Sequence, residues 1–290
     1  LAHNLERGID VVVAADPPEG PFDLCAFAFP KGMESLLVRD LLDAAHDRLR
    51  HAGRLVVSTD GKADALRVAV KKVFGNVVPA AAKAKGCAAF LAERTKSAPR
   101  VADRGHVLTP ELVVGATTVR LEIETRPGTF AHGHIDRGSR PLLGGLDASR
   151  ATRALDLGAG CGLLGLAVAV AVPTCRVSLV ESNARAAECA ERNAVRCGVA
   201  DRVDVRTAAA AVEPFDAGRF DLVLANPPYF ANFRIARAFV EGAHAALVPG
   251  GRFALVAKAG PQHADHVREV FGNGGIVERD GYCIVTASKR

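Results

Sequence analysis

Residues 154–165 read Ala-Leu-Asp-Leu-Gly-Ala-Gly-Cys-Gly-Leu-Leu-Gly. A short apolar strand runs straight into glycines at 158, 160 and 162. An Ala-rich apolar segment, Leu163 to Val172, follows and reads as a buried helix stopped by Pro173. The next strand, Arg176-Val177-Ser178-Leu179-Val180, ends at Glu181, and the helix after it, Ala184 to Cys197, is closed by Gly198. Strand, glycine loop, helix, strand and terminal acid together predict the ligand-binding half of an α/β fold with a mainly parallel sheet. Glycines let a backbone turn tightly and approach a ligand, and a carboxylate at the tip of the second strand can accept hydrogen bonds from both hydroxyls of a ribose.

Gly160, Gly162 and Gly165 also fit the dinucleotide fingerprint G-x-G-x-x-G, so the loop alone does not separate NAD from S-adenosylmethionine. The separation comes from the end of the fourth strand. Phe220-Asp221-Leu222-Val223-Leu224-Ala225 reads as a buried strand, and Asn226-Pro227-Pro228-Tyr229 follows it. That tetrapeptide suits methylation of a planar nitrogen. The lone pair of a base amine or a side-chain amide is delocalised, and two acceptors on its N–H bonds can turn it towards a methyl group. The Asn226 side-chain oxygen and the Pro227 carbonyl are the acceptors, successive prolines stiffen the loop, and Tyr229 can stack on the flat substrate. A dehydrogenase has no use for such a motif. Asp156, just before the first glycine, also favours S-adenosylmethionine, whose amino group is cationic. The loop Asp156, Gly158, Ala159, Gly160 and Gly162 is therefore assigned to the methionine part and Glu181 to the ribose.

An internal repeat sets the architecture. Phe22-Asp23-Leu24 aligns with Phe220-Asp221-Leu222, and the alignment runs without a gap through His46 and His244, Leu49 and Leu247, to Gly53-Arg54 and Gly251-Arg252. After a slip of one, Val73-Phe74-Gly75-Asn76 meets Val270-Phe271-Gly272-Asn273, and both copies reach a strand near Cys87 and Cys283. Asn226-Pro227-Pro228-Tyr229 aligns with Ala28-Phe29-Pro30-Lys31, so the first copy lacks the amide acceptor and the aromatic platform. It also leaves no room for a glycine loop. The expectation is two tandem Rossmann-like α/β domains, a degenerate and incomplete one over 1–108 and a catalytic one over 109–290. The boundary falls within Lys96 to Thr109, where Ser97, Pro99 and Gly105 punctuate a charged stretch. Glu111 to Thr125 alternates like a strand pair.

From about Pro127 to its end the chain resembles the class I methyltransferases of the "small" type, and among them the tandem-domain ribosomal RNA guanine-N2 methyltransferases. The lead-in Pro127-Gly128-Thr129-Phe130 and Asp136-Arg137-Gly138-Ser139 resembles the segment that in this family lines the donor pocket, which makes Phe130, Asp136 and Ser139 further cofactor candidates. The resemblance implies methyl transfer from S-adenosylmethionine to the 2-amino group of a guanine in ribosomal RNA or a ribosomal subunit. It also implies a first half without activity. Adenine amino groups in RNA or DNA and protein glutamine are the alternative acceptors. A non-catalytic RNA-binding protein is the alternative of another class. One departure is clear. After the third strand, Val203 to Arg206, the chain reads Thr207-Ala208-Ala209-Ala210, so the adenine contacts are not assigned to side chains.

Composition bounds the rest. A net charge of +5 permits a nucleic-acid partner without demanding one. Lys71, Lys72, Lys83, Lys85, Arg94, Lys96 and Arg100 make the first copy's second half basic, a surface that could meet phosphates. Seven cysteines without C-x-x-C spacing argue for free thiols, with Cys161 a small filler, and against a zinc site or disulfide framework. The apolar run at Leu163 to Val172 falls short of the roughly 20 residues that span a bilayer. No signal peptide is visible, and a cytoplasmic protein without membrane or metal is expected. The tandem copies could satisfy an interface by themselves, which is compatible with a monomer.

Overall fold

The computed structural model describes residues 11–80, 85–95, 103–208, 217–227, 234–258 and 260–290. The chain divides into two compact units, Leu1–Arg104 and Gly105–Arg290.

The first unit carries β1 (Phe22–Phe29), α1 (Ser35–Arg48), β2 (Leu49–Thr59), α2 (Ala63–Phe74), β3 (Val78–Ala80) and β4 (Ala88–Glu93). Its sheet has the order β1-β2-β4-β3, with β1 and β2 parallel and β4 antiparallel to both of its neighbours. Leu42, Leu49, Leu55, Val57, Val70 and Phe74 form its core.

The second unit opens with β5 (His106–Leu108), β6 (Glu111–Val114), β7 (Thr117–Arg120) and β8 (Ile123–Thr125). The alternation in Glu111 to Thr125 thus resolves into the hairpin β6–β7 and a third strand that pairs with β5. After α3 (Ser139–Gly144) come β9 (Arg153–Leu157), α4 (Leu163–Ala171), β10 (Arg176–Glu181), α5 (Ala184–Arg196), β11 (Val203–Thr207) and β12 (Phe220–Ala225). The chain ends with α6 (Arg234–Ala246), β13 (Leu247–Ala257), α7 (Gly260–Phe271), β14 (Gly275–Arg279) and β15 (Tyr282–Ser288). These form a seven-stranded sheet in the order β11-β10-β9-β12-β13-β15-β14. Strands β9 to β13 are parallel, and β15 runs antiparallel to β13 and β14. One face packs α4 and the β6–β7 hairpin on Leu179, Leu222 and Leu224. The other packs α6 and α7 on Leu155, Val223 and Leu255.

The two units share several details. Both units order the repeated elements alike, β1-β2-β4-β3 and β12-β13-β15-β14. The pairing of β1 with β2 shifts register between Phe22 and Leu24, and that of β12 with β13 shifts between Phe220 and Leu222. His46 meets Phe74 with ring centroids 4.9 Å apart, as His244 meets Phe271. Asn76 ties the end of α2 to Glu93 through donation to its carbonyl (2.8 Å) and acceptance from its N–H (2.9 Å). Asn273 ties the end of α7 to Ser288 in the same way, at 2.7 and 3.0 Å.

Burial separates the copies. Leu222 is 0% exposed, whereas its counterpart Leu24 is 56% exposed, because in the first unit α1 and α2 pack on the opposite face of the sheet. Leu222→Ala should therefore cost about 2–5 kcal/mol, and Leu24→Ala no more than about 0.5 kcal/mol. Urea unfolding of the two variants measures the difference, and equal losses would contradict it.

Candidate functional site

Strand order places the site. From β9 the chain moves outward through β10 to β11, then returns to β12 on the other side of β9. The carboxyl ends of β9 and β12 thus flank the switch point, where open α/β sheets bind ligands. Ala225 pairs with Leu157, so the chain leaves the two strands side by side, into Gly158 on one and Asn226 on the other.

The glycine loop is wired to the tip of β10. Gly158 and Ala159 both donate to the Val180 carbonyl, at 2.9 and 3.0 Å. Gly160 N–H donates to Glu181 Oε2 at 2.8 Å, and Asn183 N–H donates to Glu181 Oε1 at 2.8 Å. Gly158 has φ +68°, and a Cβ there would stand 2.8 Å from the Phe239 ring, so no side chain is accommodated. Gly160 has φ +57° and nothing within 4 Å of where its Cβ would lie, which leaves open space against the backbone. Cys161 is buried, consistent with a filler, and all seven cysteines are free thiols.

Asp156 lies beneath this loop. It is 1% exposed, and its Oδ2 accepts from Gly165 N–H at 2.8 Å, while Oδ1 is buried without a partner. Burial pushes its carboxyl up to about 7, with the Gly165 bond opposing and Glu181 adding to the rise. The folded state therefore holds this proton to near neutrality, whereas the unfolded chain releases it near 3.8. The stability it contributes is complete below the unfolded value and lost as pH rises through about 7. Asp156→Asn keeps the neutral shape. Its thermal midpoint should gain on the parent as pH rises from about 5 to about 8. A difference independent of pH would show ordinary acidity at this carboxyl.

The lead-in segment closes the site. Asn183, the N-cap of α5, donates to the Gly128 carbonyl at 2.8 Å, and Arg185 donates to the Pro127 carbonyl at 3.0 Å. A small pocket of about 50 Å³ is lined by Phe130, Asp136, Ser139, Gly158, Ala159, Gly160 and Asn226, among others. Phe130 is 44% exposed and Ser139 is buried. Asp136 accepts at Oδ2 from Gly138 N–H (2.9 Å) and from Asn226 Nδ2 (2.8 Å), with Ser139 Oγ at 3.5 Å. Gly162 starts α4, and Glu181 sits at the loop's edge rather than in the pocket lining. Pro227 is buried after β12, and Pro228 and Tyr229 lie outside the described residues.

Asn193 is a site-supporting residue that sequence reading did not single out. Fully buried on α5, it donates to the carbonyls of Cys161 and Glu124, each at 2.9 Å, and accepts from Glu124 N–H at 2.7 Å. It thereby locks the glycine loop to β8, and only its place on the inner face of an amphipathic helix hinted at this. In the first unit, Arg94 donates to the carbonyls of Asp47 and Leu49, which occupies it within the fold, and Lys83, Lys96 and Arg100 lie outside the described residues. Among the described residues no group of three or more His, Cys, Asp or Glu could hold a metal ion, and no helix is long and apolar enough to cross a membrane.

This sheet order, with a glycine loop after its central strand and Asn-Pro after the neighbouring strand, defines the mixed α/β fold of the S-adenosylmethionine-dependent methyltransferases. The chain belongs to the methyltransferase small domain family, whose profile matches residues 120–286. It is 31% identical over 169 residues to the ribosomal RNA small subunit methyltransferase C of Klebsiella pneumoniae, an alignment covering 57% of this chain and 48% of that protein. The Escherichia coli (strain K12 / DH10B) protein of the same name is 30% identical over 165 residues, covering 56% and 47%. The chain thus spans about half the length of the curated relatives it matches. Among solved structures, the T. thermophilus 16S rRNA N2 G1207 methyltransferase, in complex with AdoMet and guanosine, matches with a TM-score of 0.81 at 25% identity. That match covers 99% of this chain and 79% of the other.

Proposed function

We propose that this protein transfers a methyl group from S-adenosylmethionine to the 2-amino group of a guanine in ribosomal RNA. The observation that carries the reading is the juxtaposition of Asn226 with the Gly158–Gly160 loop at the switch point of the sheet. The names of the curated relatives, and the guanosine in the T. thermophilus complex, support the same acceptor.

The residues present fit the donor. The open space at Gly160 admits close approach to backbone, Glu181 presents a carboxylate beside that loop, and the unpartnered Asp156 Oδ1 adds a buried polar atom below it. Gly158, Ala159, Gly160 and Gly162 with Asp156 would hold the methionine part and Glu181 the ribose, with Phe130 on the pocket wall. When bound, S-adenosylmethionine supplies a methyl group already activated on a sulfonium. The protein's task is then positioning. Asn226 Oδ1 and the Pro227 carbonyl accept the two N–H bonds of the amine and turn its lone pair to the methyl, and Tyr229 stacks on the base. Methylation acidifies the nitrogen, which then releases its proton, so no general base is needed before attack. A paired guanine would have to leave its stack at a cost of a few kcal/mol, which favours exposed RNA as substrate.

The first unit is read as a degenerate copy of the domain. The shared strand order, the shared register shift and the matching Asn76 and Asn273 bridges support a common origin. Ala28 in place of Asn226 removes the amide acceptor.

The test uses labelled donor with ribosomal RNA and separated subunits from cells lacking this enzyme, with products identified as nucleosides by mass. Methyl on guanine-N2 is expected. Methyl on adenine would overturn the acceptor, and donor binding without transfer to any RNA would overturn the activity.

A further inference from the structure

Asp136 lies ninety positions before Asn226 in the chain, yet its carboxylate accepts the Asn226 amide N–H at 2.8 Å. We infer that Asp136 is a positioning residue that sets which end of the Asn226 amide faces the substrate amine. This rests on the reading of Asn226 as an acceptor.

A side-chain amide has two ends of nearly equal shape and opposite hydrogen-bonding sense. Presented one way, Asn226 offers an oxygen to the amine. Presented the other way, it offers N–H against N–H, and the amine is repelled. Packing cannot choose between ends of equal size; only a partner of defined polarity can. An ionised carboxylate accepts and never donates, and a charged partner makes the stronger bond. With Nδ2 held by Asp136, Oδ1 is the end presented away from that carboxylate.

The carboxylate is itself anchored. Gly138 N–H donates to the same oxygen at 2.9 Å, and the buried Ser139 hydroxyl lies 3.5 Å from it. These contacts place Asp136 in the turn that leads into α3, on the wall of the pocket shared with Gly158 and Gly160. The segment before β9 therefore joins the acceptor loop after β12, and Ser139 acts on Asn226 only through Asp136. The geometry assigns Asp136 to the substrate amine rather than to the donor.

The experiment measures donor affinity and single-turnover methyl transfer at saturating donor and RNA. It uses the wild type, Asp136→Ala, Asp136→Asn, Asn226→Ala and the double variant Asp136→Ala/Asn226→Ala, each checked for an unchanged unfolding midpoint. Asp136→Ala should bind the donor with unchanged affinity and transfer methyl about 10²-fold more slowly. Asp136→Asn still offers an oxygen to Nδ2 and should recover part of that rate. In the Asn226→Ala background, removing Asp136 should cost nothing further, since no amide remains to orient; a residue that merely supports the fold would still add its loss. Weakened donor binding with normal transfer at saturation would overturn the inference and make Asp136 a donor-pocket residue. Equal rates for the alanine and asparagine variants, or an additive loss in the double variant, would also overturn it. If the wild type transfers and Asn226→Ala does not, while Asp136→Ala matches the wild type, this inference alone fails. A wild type that leaves guanine unmethylated fails the underlying reading instead.

Discussion

Asn226→Ala should reduce methyl transfer to RNA by about 10³-fold or more while the donor binds with unchanged affinity. The amide sits at the mouth of β12, one residue beyond the fully buried Ala225, and hydrogen-bonds to Asp136. The glycine loop is held separately, by Glu181 on Gly160 and Asn183 and by the Val180 carbonyl on Gly158 and Ala159. What disappears is one of the two acceptors proposed for the amine. With the Pro227 carbonyl alone, the nitrogen can rotate and its lone pair returns to the base π-system. Single-turnover transfer and equilibrium donor binding separate the two effects. Retained transfer, or a loss of donor affinity as large as the loss of rate, would remove Asn226 from its role.

Glu181→Ala should weaken donor binding by roughly 2–3 kcal/mol, about 30- to 150-fold, with little change in transfer rate once the donor saturates. The carboxylate serves two ends. One oxygen holds Gly160 N–H and the other holds Asn183 N–H, each at 2.8 Å, so it ties the glycine loop to the start of α5. The alanine variant leaves both N–H groups without that partner and removes the acceptor proposed for the ribose. Glu181→Gln keeps one oxygen and should fall between the two. Titration of the donor into each variant decides the matter, and unchanged affinity in Glu181→Ala would place the ribose elsewhere.

Much of the catalytic unit was legible because its signals are local. Asp156 to Gly165 announced a strand, a turn and a helix, and β9 and α4 occupy those positions. The stops at Pro173 and Gly198 match the ends of α4 at Ala171 and α5 at Arg196 within two residues. The two units share details of packing, down to the His46–Phe74 and His244–Phe271 pairs, at positions that align in the sequence. The lead-in segment was located but its partners were not. Asp136 is a cofactor candidate by sequence; its side chain accepts from Gly138 and Asn226 and lies near Ser139, contacts that no local pattern predicts. Asn193 is not legible, because an asparagine within a helical pattern does not reveal that it bridges the glycine loop and β8.

The sequence by itself determined the elements, their order and the two chemical loops, because backbone conformation at glycine and proline and the period of apolar residues depend on neighbours in the chain. Tertiary structure alone decided which polar groups meet across ninety residues, as Asp136 and Asn226 do, since the lead-in segment is packed against the strand ends and tied to α5 by Asn183 and Arg185. It also decided the unlike fates of like residues. Leu24 and Leu222 align in the sequence, but Leu24 is 56% exposed whereas Leu222 packs beneath α4 and the β6–β7 hairpin. Burial is a property of what covers a residue, and that cover comes from elsewhere in the fold.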